Sequence, residues 1–449
     1  MNVIDYRKLV FSINQIDPLT GVYYFNGCSK TYYLDEEGEL GYPKVMSIAQ
    51  WKHWFITDRL VFNWLINTPF IDYSTYKTLS DITENNNYFY TINFFNIAFI
   101  SDNKNIGFSC IPNNVLTDVR NNKAKIILHC STEGYSGSDS NLHKDELDTI
   151  QTWIDVANLP SENVVYINGN LLSNKIKSSK VKYQIEGICV MDGWIIDTGV
   201  IDLENYSVVN FNPVDNEYLY LNLTREPRPH RVYFLSKLVA DDLFNSGKNS
   251  FNMLYAAHHN GHYSYNIICE FTDVSPEIVN GAKFLDSMGK KFIDIDNTHT
   301  ENAVRNVDKT MYEQTLLSII TETITLNDTI LISEKTWKAI AVGHPFMILG
   351  SKGLLKQLHK MGYKTFSIWL DESYDDADTV QEKVAIITTN LNKLKEKSLE
   401  ELINIRNKMK EICIFNQHHL VKEIRRKYFI NTTFIKHKPV LDILMKGLE

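Results

Sequence analysis

Two carboxylates, a serine and a lysine stand where a site for an anionic, hydroxyl-rich ligand needs them. Glu322 follows a short apolar run, and Ser333, Glu334 and Lys335 follow the next polar loop. Serine is a good N-cap, and the helix dipole favours an acidic residue in the first turn. The N–H groups of such a helix start suit a phosphate, and both carboxylates can accept hydrogen bonds from sugar hydroxyls. The alternative is an ordinary helix start with solvated charges.

A second group of basic residues surrounds another predicted helix start. The group consists of Arg225, Arg228, His230 and Arg231. It follows the alternating strand pattern of Tyr218–Leu223 and leads into an apolar helix pattern. A strand, an arginine-rich loop and a helix start form a cradle for an anion, so we expect a diphosphate contact among these residues. Plain loop charges beside a helix-start histidine are the alternative.

The elements around Lys335 alternate between strands and helices, which predicts an α/β fold with a parallel sheet. Apolar runs indicate the strands, and apolar residues spaced three and four apart indicate the helices. The predicted order is a strand at 316–320, a helix at 333–343, a strand at 346–349, a helix capped by Ser351 and ended by Gly362, and a strand at 363–367. Such sheets bind ligands beyond the carboxyl ends of their strands. The Glu322 loop and the Ser333 helix start would both lie at that edge.

A second strand–helix–strand pattern lies earlier in the chain. It predicts a strand at 126–128, an amphipathic helix at 143–159 and a strand at 164–167. The predicted buried side of this helix contains Leu147, Ile150, Ile154, Val156 and Ala157. This pattern indicates a second parallel sheet. Residues 1–120 show strand patterns and turns, and no chemistry is assigned to them.

The composition is that of an ordinary soluble protein. The chain has 449 residues, with 44% hydrophobic and 22% charged residues, enough for two or three domains. The net charge of −8 disfavours strong non-specific binding to nucleic acid, although the lysine-rich segment 175–182 can form a local basic surface. The six cysteines are scattered, as is typical of reduced thiols. Without a signal-peptide pattern or a membrane-length apolar run, we expect a cytoplasmic protein with no membrane partner.

Two clusters resemble metal ligands only superficially. The His-His-Asn-Gly-His run at 258–262 lacks the HExxH pattern and has no carboxylate at helical spacing. The acidic run at 371–376 is interpreted as a solvated loop. We therefore expect no metal site.

The residues around Lys335 also form a pattern that resembles a known family. The pattern consists of Ser333, Glu334, Lys335, Lys338, Ala341, Gly343, Pro345, Phe346 and Gly350. It resembles the donor-side motif of nucleotide-sugar glycosyltransferases of the GT-B class, including α-1,3-fucosyltransferases and exostosin-like enzymes. It looks closest to a group of large-phage proteins. The resemblance covers the C-terminal half with useful specificity and the N-terminal half only loosely.

The resemblance implies two Rossmann-like domains that face a cleft, with no metal and with a nucleotide sugar as co-substrate. We expect an acceptor-side domain at 1–213 and a donor-binding domain at 214–449. In the families it resembles, the matching glutamate and lysine contact the donor, which implies this role for Glu334 and Lys335. Inverting enzymes of this class often have a carboxylate base in the N-terminal domain. Glu133, in the loop after the strand at 126–128, is the candidate base, and a solvated loop carboxylate is the alternative.

The resemblance to phage proteins also implies an acceptor. Large phages use such enzymes to decorate hydroxymethylated pyrimidines, so double-stranded DNA with hydroxymethyl pyrimidines in an infected bacterial host is the expected acceptor. A glycosyltransferase that acts on a surface polysaccharide, a glycan or a protein is the first alternative. A non-catalytic α/β binding or virion protein is the second.

Overall fold

The computed structural model describes part of the chain. The described residues are 10–13, 76–78, 88–93, 108, 111, 113–130, 141–172, 184–185, 200–202, 207–208, 218–224, 227–253, 263–291, 293, 307–327 and 329–424. They form a mixed α/β protein with parallel sheets, as the sequence predicted. The chain divides into two compact units, one of residues 1–190 with 424–449 and one of residues 191–423. The predicted border at 213 lies outside the described residues, and the acceptor and donor roles of the two units stay predictions.

The first unit contains a six-stranded sheet in which every pair of neighbouring strands is parallel. Its strands are β1 (Val10–Ile13), β2 (Tyr76–Thr78), β3 (Tyr88–Asn93), β4 (Ala124–Cys130), β5 (Val164–Asn168) and β6 (Gln184–Ile185). Their order in the sheet is β2-β1-β3-β4-β5-β6. Helix α1 (Asn113–Arg120) precedes β4, and helix α2 (Asn141–Val156) connects β4 to β5. The predicted second strand–helix–strand pattern is therefore confirmed.

One predicted core position of α2 is wrong. Leu147, Ile150 and Ile154 are buried as expected, whereas Val156 is 81% exposed. The buried residues follow the spacing of three and four that defines one helix face, and Val156 falls two residues after Ile154, off that face. Leu159, beyond the helix end, is buried instead.

The second unit contains a five-stranded sheet and a separate antiparallel pair. The pair is β7 (Ile201–Asp202) with β8 (Ser207–Val208), and the sheet contains β9 (Tyr218–Leu223), β10 (Gly247–Asn252), β11 (Lys290–Lys291), β12 (Thr315–Thr321) and β13 (Phe346–Leu349). The helices are α3 (Pro229–Ala240), α4 (Tyr263–Ile268), α5 (Pro276–Met288), α6 (Lys309–Glu313), α7 (Glu334–Ala341), α8 (Leu354–Lys360), α9 (Val380–Lys395) and α10 (Leu399–Ile424). Strands β12 and β13 are buried throughout, which agrees with their mainly apolar sequences.

The strand order of the second sheet defines where its functional edge lies. The order is β11-β10-β9-β12-β13, with β10, β9, β12 and β13 parallel and β11 antiparallel. The chain moves outward from β9 in one direction to β10 and β11, and then returns to the other side of β9 for β12 and β13. The reversal lies between β9 and β12. In open α/β sheets, ligands bind beyond the carboxyl ends of the strands at such a switch point.

Two predicted features of this unit are wrong. Residues 363–367 form no strand, because the Lys364 backbone pairs with the Asn416 side chain and the Phe366 N–H donates to Glu372. Side chains thus satisfy the backbone groups that a neighbouring strand would have paired. The N-cap of α8 is Gly353 with a φ of 79°, rather than Ser351.

Candidate functional site

The carboxyl ends of β9 and β12 are joined through buried side chains. Thr224 follows β9 and Thr321 ends β12, and their hydroxyl oxygens lie 2.7 Å apart in a hydrogen bond. Two residues earlier along each strand, the Asn222 amide donates to the Ile319 carbonyl at 2.9 Å. Thr224, Thr321 and Asn222 are all buried. The two loops at the switch point therefore start from a fixed separation.

The start of α3 holds the loop that follows β12. Arg231 donates to the carbonyls of Thr321 and Glu322, at 3.2 and 3.1 Å. The His230 ring lies 2.8 Å from the Glu322 carbonyl, and Arg228 donates to the Thr323 carbonyl at 3.0 Å. Three successive carbonyls, from the last residue of β12 onward, thus accept hydrogen bonds from α3 and its N-cap. The predicted basic cluster fixes the facing loop in addition to any role toward a ligand.

His230 is a neutral donor in this arrangement. The pKa of His230 is lowered to about 3, first by burial and next by the charge of Arg231, while the hydrogen bond to Glu322 opposes the shift. A carbonyl only accepts, so the Nε2 atom that faces it must carry the proton. At neutral pH, His230 therefore contributes no positive charge to the edge, and the described cations whose charges act on it are Arg231, Arg228 and Lys335.

The start of α7 presents the second charged group at this edge. Ser333 is the N-cap, and its hydroxyl accepts from the Lys335 N–H at 3.3 Å, as predicted. The Lys335 ammonium contacts a Glu334 carboxylate oxygen at 2.6 Å. Lys335 keeps 26% of its side chain exposed, and Glu334 keeps 10%. A positive charge and a carboxylate thus meet at a helix N-terminus, where an anionic group is favoured.

Glu334 is held in its charged form. Burial raises the pKa of Glu334, but the charge and hydrogen bond of Lys335, together with the charge of Lys338, outweigh burial and lower the pKa below its usual value. An ionised carboxylate only accepts hydrogen bonds. Glu334 can therefore accept from hydroxyl groups of a ligand while Lys335 faces a phosphate.

The structure brings most of the predicted binding residues to one edge of one sheet. His230, Arg231, Glu322 and Ser333 are buried there and contact other protein groups. Arg228 and Lys335 are partly exposed, and Glu334 is more exposed than the four buried residues but less exposed than these two. Arg225 and the predicted base Glu133 lie outside the described residues, so their roles stay predictions.

Sequence reasoning missed the residues that shape this edge without charge. Thr224, Thr321 and Thr336 have buried side chains. A threonine at the end of a predicted strand, or in the first turn of a predicted helix, is the sequence feature that could have revealed them. Gly350, which the sequence pattern includes, follows β13, and a Cβ atom there would lie 2.8 Å from the side chain of Leu354 and 3.4 Å from the Cβ of Glu322. A glycine at this position therefore leaves space for the Leu354 side chain.

The acidic run at 371–376 is only partly the predicted solvated loop. Asp375 is 6% exposed, and its carboxylate accepts from the N–H groups of Leu355 and Lys356 in the first turn of α8. Burial raises the pKa of Asp375, against the effect of these two hydrogen bonds. Within the described ranges, no group of three or more His, Cys, Asp or Glu residues is placed to hold a metal ion. The histidine run at 258–262 is outside those ranges.

Comparisons with known proteins add little to this geometry. No family model and no curated protein matches the chain. A solved structure titled "OtsA apo structure" aligns over 94% of this chain and 99% of that chain, at 10% sequence identity and a TM-score of 0.33. A likeness at this score carries no argument about fold or activity. In the part of the chain that the structure describes, no helix has both the length and the apolar character needed to cross a membrane.

Proposed function

We propose that the protein is a GT-B type glycosyltransferase that moves a sugar from a nucleotide-sugar donor to an acceptor hydroxyl. One observation carries the proposal: at the switch point of the second sheet, the Glu334–Lys335 pair at the start of α7 lies at the same edge as Arg228 and the start of α3. Cations and the positive end of a helix dipole suit a diphosphate, and a charged carboxylate beside them suits sugar or ribose hydroxyls. The resemblance of the 333–350 segment to donor-side motifs supports the same assignment.

In this proposal, the two units are Rossmann-like domains, and the second one holds the donor. The acceptor hydroxyl loses its proton to a base and attacks the anomeric carbon, and the nucleoside diphosphate leaves with the electrons of the broken bond. Lys335, Arg228 and two helix N-termini would stabilise the charge that grows on the diphosphate. Because these fixed groups can supply the positive charge, we expect activity to survive chelation of divalent metals by EDTA.

A thermal-shift titration with nucleotide sugars tests the donor assignment. UDP-glucose, GDP-mannose and their free diphosphates are suitable probes, with the matching nucleosides as controls. A ligand present at about one hundred times its Kd stabilises the folded protein by about 2.7 kcal/mol, which gives a clear rise in Tm. A protein whose Tm does not move with any diphosphate probe at millimolar concentration is not a glycosyltransferase of this kind, and the non-catalytic alternative would replace it.

Glu133 is our proposed base. Replacement with alanine should leave donor affinity nearly unchanged and lower turnover by about a factor of 10² or more. Glu162→Ala, which changes an exposed carboxylate of the same unit, is the matched control and should keep wild-type turnover. Turnover of the Glu133 variant within a few-fold of wild type would exclude it from this role.

For the acceptor, we propose a hydroxymethyl pyrimidine in double-stranded DNA. The support is the resemblance to large-phage proteins, and the lysine-rich segment 175–182 is a candidate basic surface on a chain of net charge −8. The enzyme must reach into the major groove or flip the base, at a cost of a few kcal/mol. Hydroxymethylated and unmodified duplexes are incubated with protein and donor, digested to nucleosides and examined by mass spectrometry. Sugar transfer to a glycan or protein instead would favour the first alternative.

A further inference from the structure

Glu322 connects β12, β13 and α3 at the switch point of the second sheet. It follows β12 directly and is fully buried. Its backbone N–H donates to the Leu349 carbonyl of β13 at 2.9 Å. Its own carbonyl accepts from His230 at 2.8 Å and from Arg231 at 3.1 Å, both on α3. The backbone of this residue therefore has little freedom to move.

The carboxylate of Glu322 is taken up by the protein itself. Its Oε1 atom accepts from the Ser333 N–H at 3.1 Å and from the Thr336 hydroxyl at 2.5 Å. Its Oε2 atom accepts from the Thr323 N–H at 3.1 Å. A buried carboxylate is stable only when several donors surround it, and these three donors meet that requirement. A ligand would have to displace them to reach it.

The two α7 contacts of Glu322 lie on either side of the charged pair. Ser333 is the N-cap and Thr336 is the third residue of the helix, so Glu334 and Lys335 stand between them. Oε1 therefore acts as a second cap on α7, in addition to the Ser333 hydroxyl, and its negative charge is favoured by the helix dipole. The position and direction of the Glu334–Lys335 pair depend on this contact.

We propose that Glu322 is a positioning residue for donor binding: its carboxylate fixes the first turn of α7 and thereby aims Glu334 and Lys335, without touching the donor. The effect on donor affinity rests on the proposed function. Glu322 thus acts on the donor through Glu334 and Lys335 and makes no direct contact with it.

Four variants separate positioning from general stability. Thr336→Val removes one donor to Oε1 and keeps the side-chain shape, whereas Thr336→Ser keeps the hydroxyl. Glu322→Gln keeps the size but points an amide N–H₂ group at an N–H or O–H donor. Thr315→Val is the matched control, because Thr315 is a buried threonine at the other end of β12 whose hydroxyl donates to the Met311 carbonyl at 3.0 Å.

Calorimetric Kd values for UDP-glucose or GDP-mannose, whichever binds the wild type, are compared with urea unfolding midpoints. We expect Thr336→Val and Glu322→Gln to raise the Kd about tenfold or more, and Thr336→Ser to restore it to within about threefold. Thr315→Val should lower the unfolding midpoint as much as Thr336→Val does and leave the Kd within about twofold. Folded Thr336→Val and Glu322→Gln proteins that bind as wild type would overturn the proposal.

A ligand-free readout keeps this test distinct from the proposed function. Amide hydrogen exchange at Ser333, Lys335 and Thr336 should become faster in Thr336→Val than in wild type, whereas the amides of β13 should keep their protection. Unchanged exchange at the start of α7 would overturn the positioning role, whether or not a donor binds. Wild-type protein that binds no nucleotide sugar, with faster exchange in the variant, would refute the proposed function alone.

Discussion

At the scale of single residues, Lys335 combines two properties that a ligand-binding cation needs. It is held in place by the Glu334 carboxylate at 2.6 Å, and it still keeps 26% of its side chain exposed. The pair is close to neutral while no ligand is bound, so a phosphate would compete with Glu334 for the ammonium group. Lys335 can then turn to the phosphate, and the freed carboxylate can accept hydrogen bonds from hydroxyl groups.

Lys335→Ala should raise the donor Kd at least tenfold, which is about 1.4 kcal/mol of binding free energy. The reason is the loss of a positive charge beside the diphosphate at a helix N-terminus. Calorimetric titration with the nucleotide sugar that stabilises the wild type measures the effect. Lys395→Ala is the control, because Lys395 is an exposed lysine paired with Asp242 away from this edge, and its Kd should stay at the wild-type value. Equal Kd values for both variants would contradict the assignment.

The sequence predicted which residues gather at the site better than it predicted what each one contacts. A helix start and a strand end can be recognised from neighbours in the chain, so the predicted groups lie at the expected edge. The partner of His230 is the carbonyl of Glu322, which is 92 positions away. Such a contact depends on how two distant loops meet, and no local pattern encodes it. The burial of Arg231 and Glu322 follows from the same long-range contacts.

At the scale of elements, local sequence rules fixed most helix and strand positions of the second unit. Ser333 as N-cap, and Gly343 with a φ of 68° just beyond α7, confirm the predicted ends of that helix. The predicted strand at 363–367 is wrong because an apolar run defines burial but does not supply a neighbouring strand. Asn416, 52 positions from Lys364, and Glu372, six positions from Phe366, satisfy its backbone instead, and the apolar run itself gives no sign of either partner.

Two glycines with similar backbone angles allow a test at the ends of these helices. Gly343 and Gly353 have φ values of 68° and 79°, so alanine at either position should cost about 1 kcal/mol in strain. A Cβ atom at Gly343 would also lie 2.5 Å from the Gln417 amide nitrogen, which donates to the Ala341 carbonyl at the end of α7. At Gly353 the nearest atom, from Ile330, is 4.0 Å away.

Gly343→Ala should therefore destabilise the protein more than Gly353→Ala does, because it also displaces the Gln417 side chain and breaks its hydrogen bond. Urea unfolding measures both, with an expected difference of about 1 kcal/mol. Gly343→Ala in a Gln417→Ala background is the control, since removal of the long side chain should bring the two glycine variants to similar losses. A Gly353→Ala protein that is the less stable of the two would refute the steric argument.

At the scale of the whole molecule, parallel sheets were predictable and their strand orders were not. Alternation of strand and helix patterns indicates a parallel sheet, because parallel strands need crossover connections. The side of β9 on which β12 is placed is decided by how the helices pack, which leaves no mark in the spacing of residues. The switch point therefore emerges only from the structure, although most of the charged residues at it were recognised in the sequence.

Among the described residues of the second unit, the buried histidines His230 and His344 affect its stability as a function of pH. The pKa of His344 is lowered to about 3, first by burial and next by the charge of Arg406, while hydrogen bonds to backbone carbonyls oppose both effects. His344 lies between the Ser318 hydroxyl at 2.8 Å and the Thr315 carbonyl at 2.9 Å. Burial likewise lowers the pKa of His230 to about 3. Both rings are neutral in the folded protein at pH values where the unfolded chain protonates them.

The free energy of unfolding should therefore fall as the pH is lowered from 7.5 to 5.5. Below the ordinary histidine pKa of 6.5, the unfolded state binds more protons than the folded state, so each of these histidines removes up to about 1.4 kcal/mol per pH unit. This window lies above the ordinary pKa range of carboxylates, which limits their contribution.

His344→Gln keeps a donor for the Thr315 carbonyl but cannot take up a proton. Urea unfolding at pH 7.5 and at pH 5.5 should show a loss for this variant that is smaller than the wild-type loss by about 1 kcal/mol. The variant's lower stability at pH 7.5 does not enter the comparison, because only the change with pH is measured. Identical losses for variant and wild type would show that His344 keeps the same protonation state in the folded and unfolded protein.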